Sequence, residues 1–194
     1  FKPGRREREG SDKRKILRIL IDAVGEICSN AIIFCNRKSD VDICAKSLQK
    51  YGYDAAPIHG DLEQTRRTAT LEKFRNGQLR FLVASDVAAR GLDIPSVSHV
   101  FNFDVPSNSE DYVHRIGRTG RAGETGHAIS LVAAEEALLL KAIERLTGEA
   151  LPKKAVKGFE PTILTAPPLD LSGGRRRSAP RPRRGGTAEP SRMK

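Results

Sequence analysis

Residues 31–58, AIIFCNRKSDVDICAKSLQKYGYDAAPI, spell out a strand, a helix and a second strand. The run 31–35 is apolar without alternation, the pattern of a strand covered on both faces. Ser39 then offers a helix cap, Val41, Cys44, Ala45 and Leu48 fall on one helical face, and Gly52 supplies the stop. Residues 55–58 form the next short strand. Two strands joined through a helix in this way are predicted to lie parallel, because a parallel pair needs a crossover of this length.

The alternation continues in both directions. Downstream, Asp61 followed three residues later by Gln64 is a capping-box pattern, opening a helix through Leu71 and Phe74 that Asn76 and Gly77 end. Residues 81–84 (FLVA), 97–103 and 126–132 supply three more strands, and 134–146 a last amphipathic helix ended by Gly148. Upstream, Ser11 can cap a helix whose Ile16, Leu17, Leu20, Val24 and Ile27 form an apolar stripe. This order predicts an α/β domain over residues 11–150, with a mostly parallel sheet and helices on both faces. Residues 1–10, with Pro3, Gly4 and Gly10 among charges, read as a linker.

A chain of 194 residues with 38% apolar content can bury one ordinary core and still carry a tail. The net charge of +10 sits mainly at the ends. Residues 1–15 hold seven Lys/Arg against three acids, residues 16–150 sixteen against eighteen, and residues 151–194 eleven against three. Basic arms on a nearly neutral body suit a polyanionic partner. Residues 151–194 also hold seven of the eleven prolines and read as a largely disordered basic tail of the kind that binds RNA with little sequence preference. An apolar patch at 159–164 is suited to dock on the domain. Cys28, Cys35 and Cys44 are odd in number and lack metal-ligand spacing, so reduced, buried thiols are expected. No apolar run approaches about 18 residues, and a cytoplasmic protein without membrane attachment is expected.

Residues 112–123, YVHRIGRTGRAG, carry the chemistry. Arg115, Arg118 and Arg121 recur every third residue with Gly117 and Gly120 between them. Two interior glycines cost a helix about 1 kcal/mol each relative to Ala, which argues against an ordinary surface helix. A short helix capped by Ser107 or Asn108, with Glu110 and Asp111 in its first turn, should unwind near Gly117 and leave guanidiniums projecting. Arginine is always charged and fork-shaped, and suits bidentate contact with phosphate.

Other candidates follow the ends of the strands, where open α/β sheets gather their ligands. They are Asn36, Arg37 and Lys38; His59, Gly60 and Asp61; Ser85, Asp86, Arg90 and Asp93; and Asp104. Amide, hydroxyl, glycine backbone and guanidinium groups on one rim can hold a sugar–phosphate backbone.

Together, ASDVAARGLD at 84–93, YVHRIGRTGRAG at 112–123, IIFCNRKSD at 32–40 and IHGDLEQTRR at 58–67 resemble the second RecA-like lobe of bacterial DEAD-box ATP-dependent RNA helicases. The resemblance covers residues 11–148. It implies a RecA-like domain of five to six strands that unwinds RNA with ATP in concert with a first lobe. By position, Arg118 and Arg121 resemble arginine fingers that reach the γ-phosphate. Asp93 resembles the carboxylate on the nucleotide ribose, while His114, Arg115 and Arg90 resemble groups that couple the lobes. Asn36, Gly60, Arg67 and Ser85 match positions near the RNA backbone. The family often has Thr where Arg37 and Ser85 stand; Ser85 keeps the hydroxyl, whereas Arg37 replaces a small donor with a charge.

No Gly-Lys dipeptide occurs, so the chain holds no Walker-type phosphate loop, and no Asp-Glu pair stands ready to hold a metal. Most ATP contacts and the Mg2+ site are therefore expected on the first lobe, to which residues 1–10 would lead, with no metal on this chain. The expected function is half of an ATPase, inactive alone, with RNA, the first lobe and ribosome-assembly or RNA-decay proteins as partners. Two alternatives are a stand-alone RNA-binding or regulatory module on this fold, and the equivalent lobe of a DNA-directed helicase, which HRIGRTGR disfavours.

Overall fold

The computed structural model describes residues 5–121, 123 and 125–159. The chain divides into a folded unit, Phe1–Thr162, and a second unit, Ile163–Lys194, which lies outside the described residues. The tail expected over 151–194 lies outside them beyond residue 159, as do most of the 159–164 patch and the first four linker residues; within the described part Leu151 packs beside Ile143 and its N–H donates to Glu144.

Five strands, β1 (Ala31–Phe34), β2 (Ala55–Ile58), β3 (Phe81–Ala84), β4 (His99–Asn102) and β5 (His127–Ser130), form one sheet in the order β2-β3-β1-β4-β5. Every neighbouring pair is parallel. All four residues of β1, β3 and β4 are buried, as expected of strands enclosed on both faces. In register, Phe34 stands beside Ala84 and Asn102, and Ile58 beside Ala84, so the residues that follow these strands share one rim.

Alternate strand residues feed two cores. Ala31, Ile33, Phe81 and Phe101 pack with Leu17 and Ile21 of α1 (Arg5–Val24) and with Val41, Cys44, Ala45 and Leu48 of α2 (Lys38–Lys50). On the other face Ile32, Phe34, Leu82 and Val100 meet Leu71 and Phe74 of α3 (Gln64–Arg75) and Ala89 of α4 (Asp86–Arg90). A third cluster joins Tyr112 of α5 (Ser109–Ile116) to Ile143 of α6 (Ala137–Thr147), with Val105 between them. All three cysteines are free and buried.

Several local expectations need correction. Helix α1 begins at Arg5, so Ser11 lies inside it, and residues 5–10 are helical rather than a linker. The run of Arg and Glu before Gly10 consists of good helix formers. Ile27 lies beyond the helix in a 3-10 turn and is exposed, while Ile21 takes the core position. Ser39 is within α2, which Arg37 precedes without a side-chain cap. Asp61 does not cap α3: its carboxylate accepts from Lys38 Nζ at 2.5 Å, and the helix opens after Glu63. That Lys38 hydrogen bond also holds the Asp61 carboxyl below its usual pKa. Helix α4, five residues long, was not anticipated.

Candidate functional site

Arg115 organises the rim. It leaves the last turn of α5, is 1% exposed, and uses all five of its N–H donors. Nε and Nη2 donate to the two carboxylate oxygens of Asp86, at 2.6 and 2.7 Å. Nη1 donates to the Asp104 carbonyl at 2.7 Å and to Asn102 Oδ1 at 3.3 Å, and Nη2 also reaches Asn36 Oδ1 at 2.8 Å. Its guanidinium carbon lies 5.1 Å from the centre of the Phe34 ring. One side chain thus ties α5 to the ends of β1, β3 and β4.

A second set of polar contacts extends this anchor. The Asn36 amide nitrogen donates to the Val105 carbonyl at 2.8 Å, and the Asn36 backbone N–H to Asp104 Oδ2 at 3.1 Å. Lys13 of α1 bridges Asp104 at 3.2 Å and Glu136 at 2.8 Å. Glu136 in turn accepts from the backbone N–H groups of Val105 and Ala133. Asn36 therefore reaches the rim with its side chain anchored on both ends of the amide.

Beyond α5 the chain turns back along the sheet. Asn108 caps α5 by accepting from the Glu110 N–H, and Gly117 ends it, as the spacing predicts. Residues 118 and 119 then run beside Val97: the Val97 N–H donates to the Arg118 carbonyl at 3.0 Å, and Thr119 Oγ1 donates to the Val97 carbonyl at 2.5 Å. Gly120 turns with φ of +66°, and Gly126 passes so close that a Cβ there would overlap the Gly120 backbone and the Thr119 hydroxyl.

This stiff hairpin carries Arg118 and Arg121. Arg118 is half-buried and makes only a long contact, 3.5 Å, to the Ala89 carbonyl. Arg121 is exposed and its Nε donates to the Gly117 carbonyl at 2.6 Å. Among the described residues neither pairs with a carboxylate. Burial, and then the charge of Arg121, lower the pKa of the Arg118 guanidinium. Two cations without a carboxylate partner among the described residues, one of them partly desolvated, form a site suited to an anion.

The other candidates divide into three groups. Arg90 pairs with Asp111, which also lies 3.8 Å from His114 Nδ1, so α4 and α5 are linked at the surface. Asp93 is almost fully exposed and is met by Arg75, which also binds its carbonyl. Ser85 and Arg67 hold buried polar atoms, Oγ and Nε, without a partner. Ser85 is the residue before α4 yet its hydroxyl does not cap that helix. Gly60 lies exposed on the same rim, where a Cβ would make only ordinary contact with the Lys38 side chain. Sequence reasoning did not single out Asn102, Lys13 or Glu136, and it read Asp111 only as a first-turn acid of α5. Asn102 had a signal: an amide inside the apolar run VFNF must find a partner, and it holds Ser130 Oγ at 3.0 Å as well as Arg115.

The sequence profile of the helicase conserved C-terminal domain matches residues 12–123. The ATP-dependent RNA helicase RhlB of Cronobacter sakazakii is 46% identical over 182 residues, which take in 89% of this chain and 42% of that protein. The DEAD-box ATP-dependent RNA helicase CshA of Bacillus subtilis is 51% identical over 133 residues, 69% of this chain and 26% of that protein. The chain thus spans less than half the length of these curated relatives. Among solved structures, E. coli SrmB bound to regulator of ribonuclease activity A superposes with a TM-score of 0.73 at 37% identity, covering 79% of this chain and 89% of that one. S. cerevisiae Dbp5 bound to RNA and ADP BeF3 superposes with a TM-score of 0.66 at 34% identity, over 73% of this chain and 38% of that one. The chain belongs to the helicase conserved C-terminal domain family, and its five-stranded sheet is the second RecA-like lobe of the DEAD-box type.

Proposed function

We propose that this chain is the second lobe of an ATP-dependent RNA helicase, acting in the cytoplasm and hydrolysing ATP only when a first lobe is joined to it. The observation that carries the reading is the pair Arg118 and Arg121, held on the hairpin with no carboxylate partner among the described residues. ATP supplies the phosphate to be transferred, and Mg2+ is assigned mainly to the first lobe. Arg118 and Arg121 meet the charge that builds on the γ-phosphate, a contribution on the order of 10³- to 10⁵-fold in other NTPases that use such a finger. Because the fingers and the phosphate lie on different lobes, hydrolysis depends on closure.

Arg115 acts as a positioning residue, setting where α5 ends and so where the hairpin starts. Arg90 and His114 flank the Asp111 carboxylate on the exposed side of α5, where coupling between lobes would be felt. Asp93, with its carboxylate turned to solvent, is placed to accept from a ribose hydroxyl. For RNA, Ser85, Arg67, Asn36 and the open backbone at Gly60 are the proposed contacts to the sugar–phosphate backbone. RNA and ATP then favour one closed state and raise each other's affinity. Proteins of RNA decay or ribosome assembly are the partners proposed for the full-length enzyme.

The test is ATP hydrolysis by the chain alone, and again with a separately purified first lobe, with and without single-stranded RNA. Activity should appear only with both lobes and collapse in Arg118→Ala. Turnover by this chain alone refutes the half-enzyme reading, and a fully active Arg118→Ala mixture returns the hairpin to a structural or RNA-binding role.

A further inference from the structure

We infer that the groove between α1 and α2, on the flank of the sheet away from the arginine hairpin, is a docking site for an acidic protein segment carrying an apolar anchor. Helix α1 presents Arg14, Lys15 and Arg18 to this groove, and α2 presents Ile43, Lys46 and Lys50 followed by Tyr51. The positions fall three and four apart on both helices, so each set is one face. Five cations therefore line one groove with no acid among its walls. Lys15 has Asp12 at 3.4 Å, while Arg14, Lys46 and Lys50 have no ion-pair partner among the described residues. In a body whose residues 16–150 are slightly acidic overall, this concentration is local to the groove.

The apolar elements select the occupant. Ile43 is 47% exposed and Tyr51 59%, and both stand within the ring of cations. The groove encloses about 310 Å³, at the small end of ligand pockets, which suits one or two side chains of a peptide better than a cofactor. The Arg18 guanidinium sits over the Tyr51 ring, its carbon 3.9 Å from the ring centre, and Ser47 Oγ accepts from its Nη1 at 3.2 Å. That face of the ring is closed to a nucleobase, so the stacking on which single-strand binding relies is lost on this side. Arg18 in turn is fixed in place before any ligand arrives, which lowers the ordering cost of a carboxylate contact. Carboxylates on the cations and an aliphatic side chain against Ile43 and Tyr51 satisfy the whole surface.

The test uses a fluorescent synthetic peptide in which Glu alternates with Leu, titrated into the 194-residue chain and into the double variant Lys46→Glu, Lys50→Glu. Both lysines are exposed, so the variant should keep its thermal unfolding profile. The wild-type chain is expected to bind with shifted amide resonances across 43–51, and the double variant about tenfold more weakly. Fluorescent oligouridine should bind both proteins alike. No peptide binding overturns the inference, as does equal binding to both proteins, which would assign the peptide to the basic tail. A parallel loss of oligouridine binding in the variant also overturns it, and makes the groove an RNA surface.

Discussion

Arg115, Arg118 and Arg121 occupy equivalent places in a three-residue repeat, yet their surroundings give them different work. Arg115 has every donor satisfied inside the lobe, whereas among the described residues Arg118 and Arg121 each make one side-chain hydrogen bond, to a backbone carbonyl. Replacing Arg115 by Met should therefore appear first as lost stability. It strands the Asp86 carboxylate, and breaking a buried pair of this kind costs roughly 3–5 kcal/mol, readable as a lower urea midpoint. Gly126→Ala should touch function as well as stability. The added methyl meets the Gly120 backbone and forces that turn outward, so the two-lobe ATPase should drop on the order of 10²-fold and the unfolding midpoint should fall with it. The glycines of the repeat made the end of α5 legible, and Gly117 does stop that helix. That the repeat's first arginine faces inward was not legible, because the deciding partners, Asp86, Asn102 and Asn36, lie far away in sequence.

At the scale of the element, strands were read more faithfully than helix ends. The apolar runs 31–35 and 81–84 match β1 to within one residue and β3 outright, because a strand buried on both faces has no polar position to confuse its limits, and 55–58 matches the edge strand β2. Helix starts depend on which side chain wins a local competition. Asp61 is drawn to Lys38 instead of capping α3, and α2 begins before Ser39. Helix α4 spans less than two turns and leaves no periodic trace. Helix α5 is the case where local chemistry and fold agree, with Asn108 capping and Gly117 stopping. Asn108→Ala should cost about 1 kcal/mol, measured by thermal or urea unfolding, with its effect on ATP turnover confined to conditions near the melting transition.

For the whole molecule, the charge map separates a nearly neutral lobe from a basic tail, which beyond residue 159 lies outside the described residues. Deleting residues 152–194 should weaken binding of single-stranded RNA and flatten its salt dependence, by a slope of about 0.7 for each phosphate no longer neutralised. An unchanged slope in a salt titration would leave the tail a solubilising device. The fold class was legible across the chain, since alternating apolar strands and helices admit few other arrangements. The contacts between rim residues were not, because they depend on strand order, which no local pattern encodes.

That strand order also governs how the lobe comes into being. β1 is the central strand, and its sheet partners are β3 and β4, so Ala31 waits for Phe81 on one side and His99 on the other. A chain emerging from the ribosome exposes AIIF well before either partner has been made. Closing such long loops is entropically costly, and a parallel sheet assembled from distant segments forms late and slowly. Of the finished domain's elements, α1 and α2 are the ones that cover Ala31 and Ile33, and α1 is already made when β1 is synthesised, so that face of the strand has a partner on hand before β3 exists.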